Sequence, residues 1–423
     1  MNIASIILGT RGDVQPMVAL ATGLISRGHK VVILAPPEHE ELITSHSVDF
    51  IAFGPEIKKK IRENPEKQKG GVAVKISPKE GKKFTLDQMS KVPELVPDAD
   101  LILGVGIVMG VHTAADILKI PYRLLAYYPV ILGAGTDAPA KDRMMFGFGR
   151  SVINSFSKGY MNRYRKSVGL PPITDVWAHW MGEEVIMASD PEVSPVSRGV
   201  AFPWTQTGFM LLPSGKPLPE AVESFINQGT PPIYIGFGSN PIADPEKYTQ
   251  MFDEVCRTTG RRLIISKGWA GLKGSPNPDI LFVDEIPFEK LFPHLSAIVY
   301  HGGTGTLAAS VRAGIPQAIF PFMGDQFANQ KQAIHLGIAP PTCTFKKMTA
   351  ATLTTAIKEC LSNPAYAEKA AALAGTLKES NGIELTISYI EELIKKKDDI
   401  RTYPPQPLPR PGRGSAPRPP RSQ

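Results

Sequence analysis

Residues 300–326 read YHGGTGTLAASVRAGIPQAIFPFMGDQ. The apolar run Ala297–Tyr300 suits one buried strand, and it breaks at His301 into Gly302, Gly303, Thr304, Gly305 and Thr306. Leu307 and Val311 then share a helical face, and Gly314 and Pro316 end that helix. A second apolar run, Gln317–Phe320, follows. Strand, glycine turn, helix and strand make a βαβ unit, which implies a parallel sheet. Small residues at the strand-to-helix turn let main-chain N–H groups approach an anion, and the helix dipole favours negative charge there. Thr304 and Thr306 add hydroxyl donors, and His301 can donate from its imidazole. The set fits a pyrophosphate. It lacks the GK[ST] of a P-loop, so no lysine is placed for the terminal phosphates of a nucleoside triphosphate.

The same alternation extends outward in both directions. In the first half, apolar runs occur at Ile3–Leu8, Val31–Leu34, Val48–Phe53, Asp100–Val105, Tyr122–Ala126 and Glu184–Ala188. Met17, Leu20, Ala21, Leu24 and Ile25 lie between two of them at helical spacing, and Gly28 stops that helix. From Asp190 to Pro232 the pattern lapses into Pro- and Gly-rich sequence. A second series follows at Ile233–Phe237, Leu263–Ser266, Ile280–Val283, Ala297–Tyr300 and Gln317–Phe320, and then three helices at Ala350–Leu361, Ala365–Lys378 and Ile383–Lys396. The expected architecture is α/β, with two facing Rossmann-like, doubly wound parallel-sheet domains. Residues 1–205 form the first, 206–232 a linker and 233–382 the second. A helix over 383–398 is expected to pack back on the first domain. Ligands in such sheets bind beyond the carboxyl ends of the strands, so two facing sheets make a cleft between the domains.

Composition narrows the class. The chain has 423 residues, 42% hydrophobic and 21% charged, which suits a globular protein of two or three domains. Three cysteines, Cys256, Cys343 and Cys360, form no CxxC pair and no disulfide framework, which fits a reducing compartment. The longest apolar run, around Leu101–Val111, is far short of the roughly 20 residues that span a bilayer. With no basic n-region at the N-terminus, a cytoplasmic location is expected.

The net charge of +7 is unevenly spread. Arg401–Gln423 contributes five arginines and no acid, and Lys58–Lys83 ten Lys/Arg against three glutamates. The body is therefore mildly acidic, which argues against nucleic acid as a partner. The basic segment 58–83 reads as a solvated loop, or as weak contact with a membrane surface. The Pro- and Arg-rich tail 403–423 has eight prolines and no apolar periodicity, so disorder is expected.

The stretch 300–326 resembles the nucleotide-sugar signature of family 1, GT-B-fold glycosyltransferases of the UDP-glycosyltransferase superfamily. GTRGDVQPMVALATGLISRGHKV near the N-terminus, NRYRKSVGLPP at 162–172, PPIYIGFGS at 231–239 and SKGWAGL at 266–272 resemble the sterol 3-beta-glucosyltransferase branch. Antibiotic aglycone glycosyltransferases are close behind, and the likeness runs over about residues 1–395. It implies that the first domain binds the acceptor and the second the donor. His301 and the turn Gly302–Thr306 would then hold the donor phosphates, with Ser239 capping them from the opposite side. Glu285 and Ile286 would lie at the nucleobase, with Trp269 near it. Asp325 and Gln326 would bind sugar hydroxyls, a task suited to a carboxylate beside an amide. Plant members carry a glutamate where this chain has Ala309, a departure that the sterol and antibiotic branches share.

The implied activity is an inverting transfer of a hexose, glucose from UDP-glucose, to a hydroxyl of a sterol, triterpenoid or polyketide, with dTDP as the other donor nucleotide. Asp13 is the only carboxylate of the loop Gly9–Pro16, and the resemblance implies that it is the general base. Thr10 and Arg11 would contact the donor phosphates, where an Arg fork suits phosphate oxygens. No HExxH or DxD-like pair flags a cation, so neither metal nor other cofactor is expected. The segment Tyr127–Phe148 is apolar and aromatic. An acceptor pocket is therefore expected from Tyr127, Tyr128, Met144, Met145, Phe146, Phe148, Trp177 and Trp180. Gly104-x-Gly106 with Gly110 after a strand resembles a dinucleotide loop but lacks the acidic partner about 20 residues on. Two alternatives stand beside transfer: an epimerase or hydrolase of nucleotide sugars with the same fold, and a non-catalytic nucleotide-sugar-binding protein.

Overall fold

A computed structural model describes residues 1–56, 77–238, 242, 244–268, 272 and 274–402. The tail 403–423 and most of the basic segment 58–83 lie outside the described residues.

The first sheet comprises β1 (Asn2–Leu8), β2 (Lys30–Ala35), β3 (Asp49–Ala52), β4 (Leu101–Gly106), β5 (Tyr122–Ala126), β6 (Val185–Met187) and β7 (Trp204–Gln206). All seven run parallel, in the order β3-β2-β1-β4-β5-β6-β7. Residues Ile3–Leu8 are all buried, because helices cover both faces of a parallel sheet and leave no polar side to alternate with. Helix α1 (Arg11–Ser26) packs Val14, Met17, Leu20, Ala21 and Leu24 against one face. On the same domain lie α2 (Pro78–Leu95), α3 (Val111–Leu118), α4 (Ala140–Ser167) and α5 (Val176–Met181).

The second sheet is parallel too, with β8 (Ile233–Gly236), β9 (Leu263–Ser266), β10 (Ile280–Val283), β11 (Ala297–Tyr300) and β12 (Gln317–Ile319) in the order β10-β9-β8-β11-β12. Helices α6 (Pro245–Thr259), α7 (Thr304–Ala313), α8 (Asp325–His335), α9 (Ala350–Ser362) and α10 (Pro364–Thr376) belong to it. The chain ends its described part in α11 (Gly382–Thr402), whose Ile387 and Ile390 are fully buried in the core of the first sheet. Gly23 of α1 makes that crossing tight, since a Cβ there would lie 2.7 Å from Ile387 Cδ1.

The Pro- and Gly-rich stretch 190–232 is more structured than its composition suggests. It holds β7 and a short helix, Glu220–Ile226. A three-residue edge strand has no alternation to read, and a two-turn helix after Pro219 has no periodicity, so neither shows in the sequence.

A buried ion pair ties the two sheets together. Asp190, just after β6, is fully buried and faces Arg312 of α7 at 2.8 Å (Oδ2 to Nη1), with a second contact at 3.1 Å from Nη2 to Oδ1. The Ser380 hydroxyl donates to the same carboxylate at 2.8 Å and the Phe209 N–H at 3.2 Å. Beside it the backbones of Gly208 and Gly382 touch, where a Cβ on Gly382 would fall on the Gly208 carbonyl. The outgoing and returning chain segments thus meet at one point. Among the described residues no helix is long and apolar enough to cross a membrane, and the three cysteines are free thiols.

Candidate active site

Each sheet reverses its strand order once, between β1 and β4 in the first and between β8 and β11 in the second. The crevices beyond the carboxyl ends of these strand pairs are the binding points that the topology dictates. Asp13 follows β1 and His301 follows β11.

Asp13 sits in the first turn of α1, half-buried. Its Oδ2 accepts from the Thr10 N–H at 2.7 Å and from the Thr10 hydroxyl at 3.3 Å. The carboxylate folds back over Gly9, where a Cβ would fall on the carboxylate itself. Tyr127 steadies the turn by donating to the Asp13 main-chain carbonyl at 3.0 Å. Burial raises the Asp13 pKa to about 6; the Thr10 N–H opposes that, and the charge of Asp325 adds to it. The Tyr128 phenol is pushed up by burial and then by the charges of Asp13 and Asp325. Two carboxylates and a phenol from both domains therefore share one electrostatic neighbourhood.

On the opposite side, His301 is buried and its pKa falls to about 4, so the imidazole is neutral at physiological pH and acts as an N–H donor rather than a charge. Gly238 and Gly303 both close on the ring: a Cβ at Gly238 would lie 2.9 Å from Cε1, and one at Gly303 would collide with Nε2. Gly302 has φ +92°, and a Cβ there would meet Ile319 at 2.9 Å and the Gln326 carbonyl at 3.0 Å. Gly303 caps α7, and Gly305 is exposed, leaving an open helix N-terminus that can receive an anion.

Thr304 donates to Asp325 at 3.2 Å. Burial raises the Asp325 pKa, and the Thr304 hydroxyl opposes this. Gln326 differs from the expected role in one respect. Its Oε1 is occupied by the Phe322 and Met323 N–H groups at 2.8 and 3.3 Å, leaving only the amide N–H₂ to face a ligand. Asn329 joins the site unanticipated: its amide donates to the Gly302 carbonyl at 2.8 Å and pins the turn. The available signal was its i+4 spacing from Asp325, which stacks both on one face of α8.

Arg11 and Glu285, expected at phosphate and nucleobase, pair with each other at 2.6 Å from opposite domains. Ile286 is partly buried and packs on the core of the second sheet. Ser239 and Trp269 lie outside the described residues.

The expected acceptor set divides. Tyr127 and Tyr128 lie beside Asp13. Phe146, Trp177 and Trp180 form an edge-to-face chain at 5.1 Å per step inside the first domain. Met144, Met145 and Phe148 are solvent-exposed on α4, Phe148 by 72%. The glycines of the dinucleotide-like loop serve packing: a Cβ at Gly106 would fall on the Leu8 carbonyl, and one at Gly104 would meet the Tyr122 ring. His112, Asp116 and His179 also cluster, with the two imidazoles stacked at 4.2 Å between ring centroids, but His112 Nδ1 is engaged by the His179 carbonyl at 2.5 Å and His179 Nε2 by the Thr113 hydroxyl at 2.9 Å. The Arg165 guanidinium already holds Asp116 at 2.5 Å.

Residues 3–93 match the glycosyltransferase family 28 N-terminal domain, and residues 265–382 match the C-terminal domain of erythromycin biosynthesis protein CIII-like proteins. Glycosyltransferase GtfE of Amycolatopsis orientalis is 30% identical over 87% of this chain and 92% of its own. The vancomycin aglycone glucosyltransferase of the same organism is 29% identical over 95% and 100%. The sterol 3-beta-glucosyltransferase UGT80A2 of Arabidopsis thaliana is 28% identical over 96% and 68%. Among solved structures, the kitacinnamycin glycosyltransferase superposes with a TM-score of 0.69 at 18% identity, covering 92% and 98% of the two chains. Glycosyltransferase VinC in complex with dTDP gives 0.64 at 16% identity, covering 94% and 100%. The chain belongs to the GT-B-fold glycosyltransferases, beside their antibiotic-aglycone and sterol branches.

Proposed function

We propose that the protein transfers a glucose from a nucleotide-diphosphate sugar, UDP-glucose, to a hydroxyl of a lipophilic acceptor with inversion at the anomeric carbon. The observation that carries this reading is the Asp13 carboxylate, half-buried at a strand-to-helix turn with its pKa near 6. A carboxylate so raised is ionised at neutral pH and is a stronger base than a solvated one. In the transfer, the acceptor oxygen bonds to the anomeric carbon while the bond from that carbon to the diphosphate oxygen breaks. The acceptor proton passes to Asp13, and an α-linked donor yields a β-glycoside.

The leaving diphosphate is stabilised by the N-terminus of α7 and the His301 N–H, preorganised donors that act without a metal ion. Asp325 and the Gln326 amide hold sugar hydroxyls. A relative named for sterols supports a flat, greasy alcohol as acceptor, and one named for a vancomycin aglycone supports a natural-product hydroxyl. A structural neighbour holding dTDP makes a thymidine donor the alternative to UDP-glucose.

The test is nucleoside diphosphate release from UDP-glucose and dTDP-glucose in EDTA, with and without a panel of sterols and polyphenols, for wild type and Asp13→Ala. Acceptor-dependent release that is lost in Asp13→Ala is expected. Acceptor-independent release that survives the substitution overturns the base and favours hydrolysis.

A further inference from the structure

Among the described residues, the most unusual surface is the exposed face of α4. Met144, Phe148, Val152 and Phe156 recur at i, i+4, i+8 and i+12, so they form one stripe along the helix, and Met145 widens it. They are 70%, 72%, 37% and 72% exposed, and Met145 59%. A contiguous exposed apolar stripe rimmed by polar residues marks an interaction site. The inner face of the same helix is satisfied, with Ser157, Met161 and Arg165 buried.

Charge identifies the occupant. Helix α4 carries seven Lys/Arg and a single acid, Asp142. Arg150 and Arg165 point inward to Asp175 and Asp116. Lys141, Arg143, Lys158, Arg163 and Lys166 are exposed and bracket the stripe at both ends. Lys82 of α2 lies alongside, 5.7 Å over the Tyr160 ring. Two copies of so basic a face would repel each other. A surface of anionic headgroups over acyl chains complements both the cations and the apolar stripe, which is the pattern of a helix lying in the membrane interface.

We propose that α4 docks the protein on an anionic lipid bilayer, with Met144, Phe148, Val152 and Phe156 entering the acyl boundary and Lys158 and Arg163 on the headgroups. The helix starts just beyond the loop that follows Tyr127 and Tyr128, so docking holds the acceptor side of the cleft near the lipid in which a greasy alcohol dissolves. This last consequence rests on the proposed acceptor class; the docking itself does not.

The test is flotation of the full chain with phosphatidylcholine vesicles, with and without about 30 mol % phosphatidylglycerol, alongside light scattering of the free protein. Binding to the anionic vesicles alone is expected, weakening as salt rises from about 0.1 to about 0.5 M. Phe148→Ser with Phe156→Ser should reduce partitioning by about tenfold or more. Lys158→Glu with Arg163→Glu should abolish the preference for anionic lipid. Thermal melting verifies that these surface variants fold. Absence of wild-type binding, full binding by the Phe148→Ser, Phe156→Ser variant, or a wild-type dimer that this variant converts to monomer would each overturn the proposal. No transferase turnover enters the readout, so its outcome is separate from that of the Asp13 experiment.

Discussion

Burial lifts the pKa of Asp13, in the first turn of α1 in the first domain, and the charge of Asp325, at the start of α8 in the second domain, adds to it. A residue expected to hold the sugar thus tunes the residue expected to take the proton. The like charge disfavours ionisation of Asp13, and partial burial works in the same direction.

This coupling predicts a pH profile. With Asp13 as base, kcat/KM should rise with pH, bend near 6 and stay flat above, because the base acts only when deprotonated. Asp325→Asn removes the like charge, so the acidic limb should move to lower pH even as donor affinity weakens. Steady-state rates of both proteins from pH 4.5 to 8, as a rough working range, give the comparison. An unmoved limb would break the link between the two carboxylates.

Stability should show the opposite side of the same shift. The folded-state pKa of Asp13 lies above its unfolded value of 3.8, so its contribution to stability is full below that value and is lost as pH rises through about 6. Asn at this position can still accept the Thr10 N–H and carries no charge. The melting temperature of Asp13→Asn relative to wild type should therefore climb between about pH 4 and 6 and level off above, while transfer is lost. A difference that is constant across that window would contradict the raised pKa.

Gly9→Ala isolates the placement of the base. The added methyl would occupy the space of the Asp13 carboxylate, which must swing off the Thr10 N–H. A displaced base costs roughly 10²-fold in rate. The expected result is a fall of that order in kcat with little change in affinity for the nucleoside diphosphate, whose proposed site lies across the cleft at His301. Calorimetry of diphosphate binding beside the kinetics separates the two.

The tie between Asp190 and Arg312 should be structural. Arg312→Ala leaves a fully buried carboxylate with only Ser380 and Phe209 as donors. Breaking one side of a buried pair costs about 3–5 kcal/mol. Replacing both, as Asp190→Asn with Arg312→Met, should recover part of that loss because no charge stays stranded. Chemical denaturation of wild type, Arg312→Ala, the singles Asp190→Asn and Arg312→Met, and the double variant tests it; a double variant as unstable as the sum of its two singles would show that no coupling exists.

By itself the sequence determined the two sheets, the helices between them and the turn at His301. Those features follow from local periodicity and from glycines at strand ends, which are read over a few residues at a time. Family likeness then put names to Asp13, His301, Asp325 and Gln326. The tertiary structure alone decided which of these face one another. Arg11 with Glu285, Asp13 with Asp325, and Asp190 with Arg312 and Ser380 are pairs brought together by how two sheets meet, and no short-range pattern encodes that. It also decided that Met144, Met145 and Phe148 stand exposed while Phe146 packs against Trp177. An apolar segment in sequence has no direction until a helix and its neighbours give it one.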